Sequence, residues 1–410
     1  MLARWVLTIA GPALGLSGVV AAAGAAEGVG CTAPVAVANA CDASCRCGPQ
    51  WNATVDYLHW WVDDAPTPTL LTTSPVGTPQ PTAGVLGQST TSPLYGGAAS
   101  DTPSGSGVRF DLERRLSGGV SLGGEFFWLG ADDGLRASSD GDPGLMRPFF
   151  NTDPSVLAPD AELIAFDDPD TGDVLDGAAA IDARLDAWSA ALACRWNLLD
   201  HCSPRHAGRL TGSIGYRYFR LDESLDVATR SVVTATGGLV AQGTTFDVRD
   251  SLDATNDFHG LELGVASQER YGPWSLRVIG KLAIGGVRNE TRLAGSTVTT
   301  VPSVAPFAES GGLLAQPTNS GSASDNRFAL LPELRLDLSR RLGPSTQVRV
   351  GYTLLYLTDA VRAGALVDPA VDGRFLDPGP APGDADSPAR RVSDSTVWLQ
   401  GINVGLVRLY

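Results

Sequence analysis

The residues able to do chemistry in this chain of 410 are few: four histidines, six cysteines, and 45 acidic against 30 basic side chains. Asp257 and His259 have the spacing of a general acid–base pair, since positions i and i+2 share one face of an extended strand. That face continues as Leu261, Leu263 and Val265, an apolar surface and not a polar cleft. His59 stands between Tyr57 and Trp61, while His201 and His206 belong to a short polar link. No histidine–aspartate pair converges with a serine in a Gly-x-Ser-x-Gly turn, so the expectation is a protein that is not an enzyme. Gly285-Gly286 lacks the strand-then-helix setting of a nucleotide loop and reads as close strand packing, so no cofactor is expected.

Metal ligands are equally sparse. The stretch from Ala131 to Asp186 is crowded with aspartates, and Asp167-Asp168-Pro169-Asp170-Thr171-Gly172-Asp173 has the oxygen density for calcium without the ligand order of an EF-hand. A solvated acidic loop is the plainer reading, with Asp167, Asp168, Asp170 and Asp173 as the calcium candidates. Cys31, Cys41, Cys45 and Cys47 crowd the N-terminus, as two disulfides or as a zinc knot with C-x-C where C-x-x-C is usual. Cys194 and Cys202 have the spacing to staple a turn.

Composition decides which elements carry these residues. With 48 Gly and 27 Pro a helical bundle is excluded, and 43% hydrophobic against 18% charged residues excludes disorder. A net charge of −15 and a single lysine, Lys281, exclude a nucleic-acid partner. Residues 1–26 carry Arg4, an apolar run from Trp5 to Val20 and small residues through Ala26, the form of a cleaved secretory signal peptide. Residues 27–50 read as a cysteine-bearing periplasmic tail. No later stretch nears the roughly 18 consecutive apolar residues of a spanning helix, so a membrane-embedded mature chain must cross as strands.

Strict alternation supplies those strands. In 346–357 the even positions Val348, Val350, Tyr352, Leu354 and Tyr356 are apolar and the odd ones include Gln347, Arg349 and Thr353. Segments 328–339 and 274–285 obey the same rule, and a period of two is a strand. The last strand presents Trp398, Gln400, Ile402, Val404, Leu406, Arg408 and Tyr410 on one face. Twelve residues at ~3.3 Å, tilted by about 45°, span roughly 28 Å, the apolar band of an outer-membrane barrel between aromatic girdles. Trp274, Tyr352, Tyr356, Trp398 and Tyr410 are the girdle candidates, with outer-membrane lipid the expected partner. The terminal aromatic has the form of the signal read by the barrel assembly machinery.

Ten candidate strands lie near 51–63, 106–116, 119–130, 187–199, 209–222, 255–269, 273–289, 326–340, 346–359 and 397–410. An even count puts both ends on one side. The expectation is an all-β, transmembrane antiparallel up-and-down β-barrel over 51–410, of ten strands, or twelve if Ser231 to Val248 adds a hairpin. Tight links, including 194–202, read as periplasmic turns, and the long loops at about 64–105, 131–186, 223–254, 290–325 and 360–396 as extracellular. The face opposite the lipid collects Arg109, Glu125, Arg195, Arg217, Glu262, Arg277, Lys281, Glu333, Arg335 and Arg349, with Asp111, Glu113 and Asp337 among them. These charges either pair into a plug or line a narrow selective pore.

The segments Trp51-Asn52-Ala53-Thr54-Val55-Asp56-Tyr57-Leu58-His59-Trp60-Trp61, Gly215-Tyr216-Arg217-Tyr218-Phe219-Arg220-Leu221-Asp222 and Trp398-Leu399-Gln400-Gly401-Ile402-Asn403 resemble the putative beta-barrel porin-7 family. Leu331-Pro332-Glu333-Leu334 and Val350-Gly351-Tyr352-Thr353-Leu354-Leu355-Tyr356 are similar to the family's closing part. The resemblance implies a barrel in the outer membrane and adds no catalytic residue. A porin-like passive pore for small solutes is the functional expectation. The alternative is a non-conducting envelope scaffold, or a surface interaction barrel with acidic loops.

Overall fold

The computed structural model describes residues 50–410 except 64–65, 98–102, 204–205, 237–239, 377–381 and 392–394. The signal-peptide and tail readings, with Cys31, Cys41, Cys45 and Cys47, lie outside the described residues. The strands are β1 (Trp51–Val62), β2 (Leu71–Ser74), β3 (Ser92–Tyr95), β4 (Ser104–Arg115), β5 (Val120–Ser139), β6 (Gly144–Asn151), β7 (Ala158–Asp167) and β8 (Val174–Cys202). They continue as β9 (His206–Ala235), β10 (Thr245–Tyr271), β11 (Trp274–Thr300), β12 (Phe307–Ser310), β13 (Gly321–Arg341), β14 (Thr346–Ala360), β15 (Ala370–Val371) and β16 (Ser395–Leu409). No α-helix occurs among the described residues.

All sixteen strands join one sheet, and the sheet closes into a ring. Antiparallel pairing runs β1–β4–β5–β8–β9–β10–β11–β13–β14–β16 and returns from β16 to β1. The closing seam pairs Asn52 with Leu409 and Val62 with Leu399, and the Tyr410 amide donates to the Trp51 carbonyl at 2.9 Å. Closure removes the free strand edges that an open sheet would present.

Parity explains which way each side chain points. On β13 the even residues Leu334, Leu336 and Leu338 are exposed outside, and the odd residues Leu331, Glu333, Arg335 and Asp337 are buried inside. At one end the hairpins are tight, and two of them use Gly118 (φ +76°) and Gly272 (φ +58°), left-handed positions that favour glycine.

At the other end the strands run far past their expected limits. β8, β9, β10 and β11 are 27 to 30 residues long, so 174–186, 223–235, 245–254 and 290–300 are strand and not loop. The reason is an inversion of the alternation. On β9 the outward residues change from Ile214, Tyr216 and Tyr218 to Asp222, Ser224 and Asp226, while Leu225 and Val227 turn inward and are buried. Strand pairing continues and only the polarity of the two faces exchanges. Over this rim β2, β3, β6 and β7 and the segments around 313–315 and 361–371 pack a core that includes Leu71, Phe149, Ile164, Leu225, Leu252 and Leu314.

The link expected at 194–202 is corrected. β8 stays extended to Cys202, with Cys194 opposite Ile214 and Cys202 opposite Ala207. Eight residues of strand at ~3.3 Å each separate the two Cα atoms by roughly 26 Å, whereas a disulfide needs less than about 7 Å. The Cys194–Cys202 staple is therefore excluded, and Cys194 is a free, exposed thiol on the outer face.

Candidate functional site

The lumen is filled in two layers. Nearer the tight turns, alternate inward positions of the ring strands deliver charges of both signs. Arg217 Nη1 donates to Glu262 Oε2 at 3.0 Å and to Glu333 Oε2 at 2.5 Å, and Arg217 Nε donates to Ser189 Oγ at 3.0 Å. Lys281 Nζ donates to Glu125 Oε2 at 2.9 Å and lies 3.8 Å from Glu333. Arg335 reaches Asp337 at 3.3 Å and Glu125 at 3.4 Å. Arg349 bridges Asp56 and Asp337, and Arg195 binds Glu113 at 3.0 Å. A Cβ on Gly123 would lie 2.5 Å from Arg195 Cζ, so glycine there makes room for that guanidinium. Losing one member of such a pair leaves an uncompensated charge in a desolvated site, at a cost of about 3–5 kcal/mol. The layer is therefore held by mutual neutralisation.

Above it lies an apolar ring. Trp60 on β1, Phe127 and Leu129 on β5, Ala187 on β8, Phe219 and Leu221 on β9, Phe258 on β10, Ala283 on β11, Leu331 on β13, Leu355 on β14 and Leu399 on β16 are all fully buried. They form one cluster that fills the cross-section. Arg109 joins the layers: its guanidinium stacks 5.2 Å from the Trp60 ring and 5.6 Å from Phe127, and donates to Thr353 Oγ1 at 3.2 Å. Trp60 Nε1 donates to Asn403 Oδ1 at 2.9 Å, so the polar edge of the ring is satisfied.

The rim strands grip the cap through inward polar residues. Asp250 accepts the amides of Leu314 (3.0 Å) and Ala315 (2.9 Å) and Arg147 Nη2 (2.6 Å). Glu223 takes Arg362 Nε at 2.5 Å and the Ala363 amide at 3.0 Å, and Asn256 exchanges hydrogen bonds with the Val361 backbone at 2.7 and 2.9 Å. A cleft of about 80 Å³ remains under the cap between Tyr95, Asp133, Glu223 and Arg362.

All ten sequence-named lumen charges point inward, and all but Arg277 join this lattice of ion pairs. Asp56 was missed, although its even position on β1 shares the inward face with Leu58 and Trp60. Also missed was the apolar ring, whose signal is the breakdown of alternation into Phe126-Phe127-Trp128-Leu129 and Leu354-Leu355-Tyr356-Leu357, where both faces are apolar.

The girdle candidates all face outward. Trp274 and Tyr410 lie at the tight-turn end, and Tyr356 and Trp398 are register partners toward the loops. Tyr352 sits between these levels and donates to Gln400 Oε1 at 2.9 Å. The calcium candidates surround the β7–β8 turn, where the Asp168 carboxylate accepts the Asp170 amide (2.9 Å) and Thr171 Oγ1 (2.8 Å). Those bonds hold Asp168 below the usual carboxylate range. His259 lies outside the ring, its Nδ1 2.5 Å from the Tyr216 hydroxyl. Gly119-Val120-Ser121-Leu122-Gly123 spells the nucleophile pattern, but it is hairpin and strand, and Ser121 Oγ donates to Glu113 at 2.7 Å.

Comparison with solved structures finds the outer membrane protease OmpT from Escherichia coli at 10% identity, covering 88% of this chain and 96% of that one, with TM-score 0.40. The toluene transporter TbuX of Ralstonia pickettii shares 10% identity over 88% and 90% of the two chains, with TM-score 0.22. A Pseudomonas aeruginosa FadL homologue shares 7% over 88% and 89%, with TM-score 0.21. At these scores none of the three carries a functional argument. No curated protein matches the sequence. The putative beta barrel porin-7 family matches residues 51–410, the whole of the closed sheet and its cap, and the chain belongs to that family.

Proposed function

We propose that the chain is a ten-stranded transmembrane barrel of the bacterial outer membrane that stands closed to passive diffusion, with its tight turns in the periplasm and its acidic cap outside. Apolar side chains on the outer face of every ring strand support the membrane setting. Val55, Phe110, Phe126, Leu192, Ile214, Leu263, Leu276, Leu336, Val350 and Val404 are each exposed, and a continuous belt of that size is not tolerated in water. Outer-membrane lipid is thus the first partner. The barrel assembly machinery, reading β16, is the second.

Of the two functional readings drawn from the sequence, the closed barrel is favoured over the open pore. The observation that carries this is the apolar ring, which occupies the cross-section that a solute would need. The paired charges then stabilise the wall. The porin character of the family fits a barrel of this build in which passage requires the ring to part.

Solute flux tests the reading. Proteoliposomes containing the refolded wild-type protein are expected to swell in arabinose no faster than empty liposomes. Swelling that scales with protein content would overturn the closed state.

A further inference from the structure

Two histidines and a glutamate meet on the outer face at the tight-turn end, away from the lumen and its lattice of ion pairs. His201 lies at the end of β8, His206 opens β9 and Glu269 lies near the end of β10, and these strands are neighbours in the ring. Gly208 on β9 is the register partner of both His201 and Glu269. The pairing of β8 with β9 slips by one residue between Asn197 and Leu199. That bulge exchanges the faces of β8: Cys194 and Trp196 are outside before it, and Leu199 and His201 are outside after it. Without the slip His201 would turn to the lumen.

Glycine is what lets the side chains meet. Gly208 is itself buried, covered from one side by the His201 imidazole and from the other by the Glu269 carboxylate. A Cβ at position 208 would overlap His201 Cε1 and lie 2.6 Å from both His201 Nδ1 and Glu269 Oε2. His206, two residues earlier on the same face of β9, completes the trio. His201 Nε2 and His206 Nδ1 are hydrogen-bonded at 3.2 Å. Glu269 Oε2 lies 2.5 Å from His206 Nε2 and 3.9 Å from His201 Nε2. The His206 ring is held by stacking on Tyr271, with centroids 4.4 Å apart and planes 14° from parallel. One ligand atom from each of the three residues falls within 4.8 Å of the others. Tetrahedral zinc, with bonds of about 2.0–2.1 Å, sets its ligand atoms roughly 3.3 Å apart, so the trio closes on an ion by small side-chain rotations.

We propose that His201, His206 and Glu269 form a binding site for one divalent transition-metal ion of the zinc class. Two imidazoles and a carboxylate are the nitrogen and oxygen donors that such an ion takes, whereas calcium asks for a shell of oxygens. The ion takes the place of the hydrogen bonds that join the three side chains. Three protein ligands leave a coordination place for water. Once bound, the ion ties the end of β8 to the start of β9 and the end of β10. This clamp on the tight-turn end stands whether or not the apolar ring ever parts.

The test is calorimetric titration of the refolded full chain with zinc chloride in a maltoside detergent, after its six cysteines have been alkylated so that thiolates cannot compete. One equivalent is expected to bind with Kd of about 10 µM or tighter and to raise the urea midpoint, since the ion favours the folded state. His206→Gln and Glu269→Gln should each weaken binding at least ~10-fold and lose the rise in midpoint. Gly208→Ala keeps all three ligands but fills the space between them, and the same loss is expected. The control His259→Gln, elsewhere on the outer face where Nδ1 contacts the Tyr216 hydroxyl, should bind as wild type does. Zinc should also shield His201 and His206, and neither His59 nor His259, from diethyl pyrocarbonate, a readout that needs no variant to fold. Absence of saturable uptake by the alkylated wild type would overturn the proposal and leave the trio a hydrogen-bonded surface patch. So would wild-type affinity in both ligand variants, a loss in His259→Gln equal to theirs, or the absence of shielding at His201 and His206.

Discussion

The two halves of the lumen obey one alternation and are filled by opposite chemistry. Near the tight turns the inward positions are Glu125, Arg217, Glu333 and Arg335, and they need one another. Toward the loops the same faces carry Phe127, Phe219, Leu331 and Leu355, and they need only contact. An ion pair is directional and fails when one partner goes, whereas an apolar plug fails in proportion to the volume removed. The lower half therefore fixes register between distant strands, and the upper half packs the interior.

The strongest way to break that contrast is Glu333→Ala, which strips one acceptor from Arg217, Lys281 and Arg109 together. A loss of about 3–5 kcal/mol in urea unfolding is expected, with no gain of solute flux. Unchanged stability would show that the lattice is not what holds the wall. Asp250→Asn comes next. It leaves Arg147 without its buried carboxylate and is expected to cost about 2–3 kcal/mol, visible as faster proteolysis within 305–320 while the ring persists. Equal proteolysis would detach the cap from Asp250.

Acidity sharpens the contrast within the cap. Burial raises Glu162 above the ordinary carboxylate range, against the pull of Arg147. A raised acid contributes stability that is complete below its unfolded value, about 4.3, and is lost as pH climbs through the folded value. Asp168 is depressed, so its contribution is present above about 3.9 and is lost as pH falls through its folded value. Cap proteolysis should accordingly quicken on both sides, Glu162→Gln removing the rise at higher pH and Asp168→Asn the rise at lower pH. If neither variant flattens its limb, other groups govern the response. The smallest effect is expected from Cys194→Ser, which should unfold at the wild-type midpoint with or without reductant, because no disulfide is lost. A reductant-dependent difference would contradict the extended course of β8.

Period two made the strands, the tight hairpins and the charged face legible, because a pleat leaves no freedom over which side Arg217 or Glu333 takes. Less legible was whatever suspends the contrast between faces. Where Leu354-Leu355-Tyr356-Leu357 is apolar on both sides, lipid and plug write the same letters. Where Asp226 and Arg230 point out and Leu225 and Val227 point in, strand beyond the outward apolar belt reads as loop, because the polar face is the one that changed sides.

Single-channel recording in planar bilayers addresses the seal most directly. Wild type is expected to hold the baseline current of the bare bilayer, and Phe127→Ala combined with Phe219→Ala, which empties two adjoining places in the ring whose side chains lie 6.2 Å apart, is expected to give discrete steps. Steps of equal size from wild type and variant would contradict a lumen closed by its apolar layer.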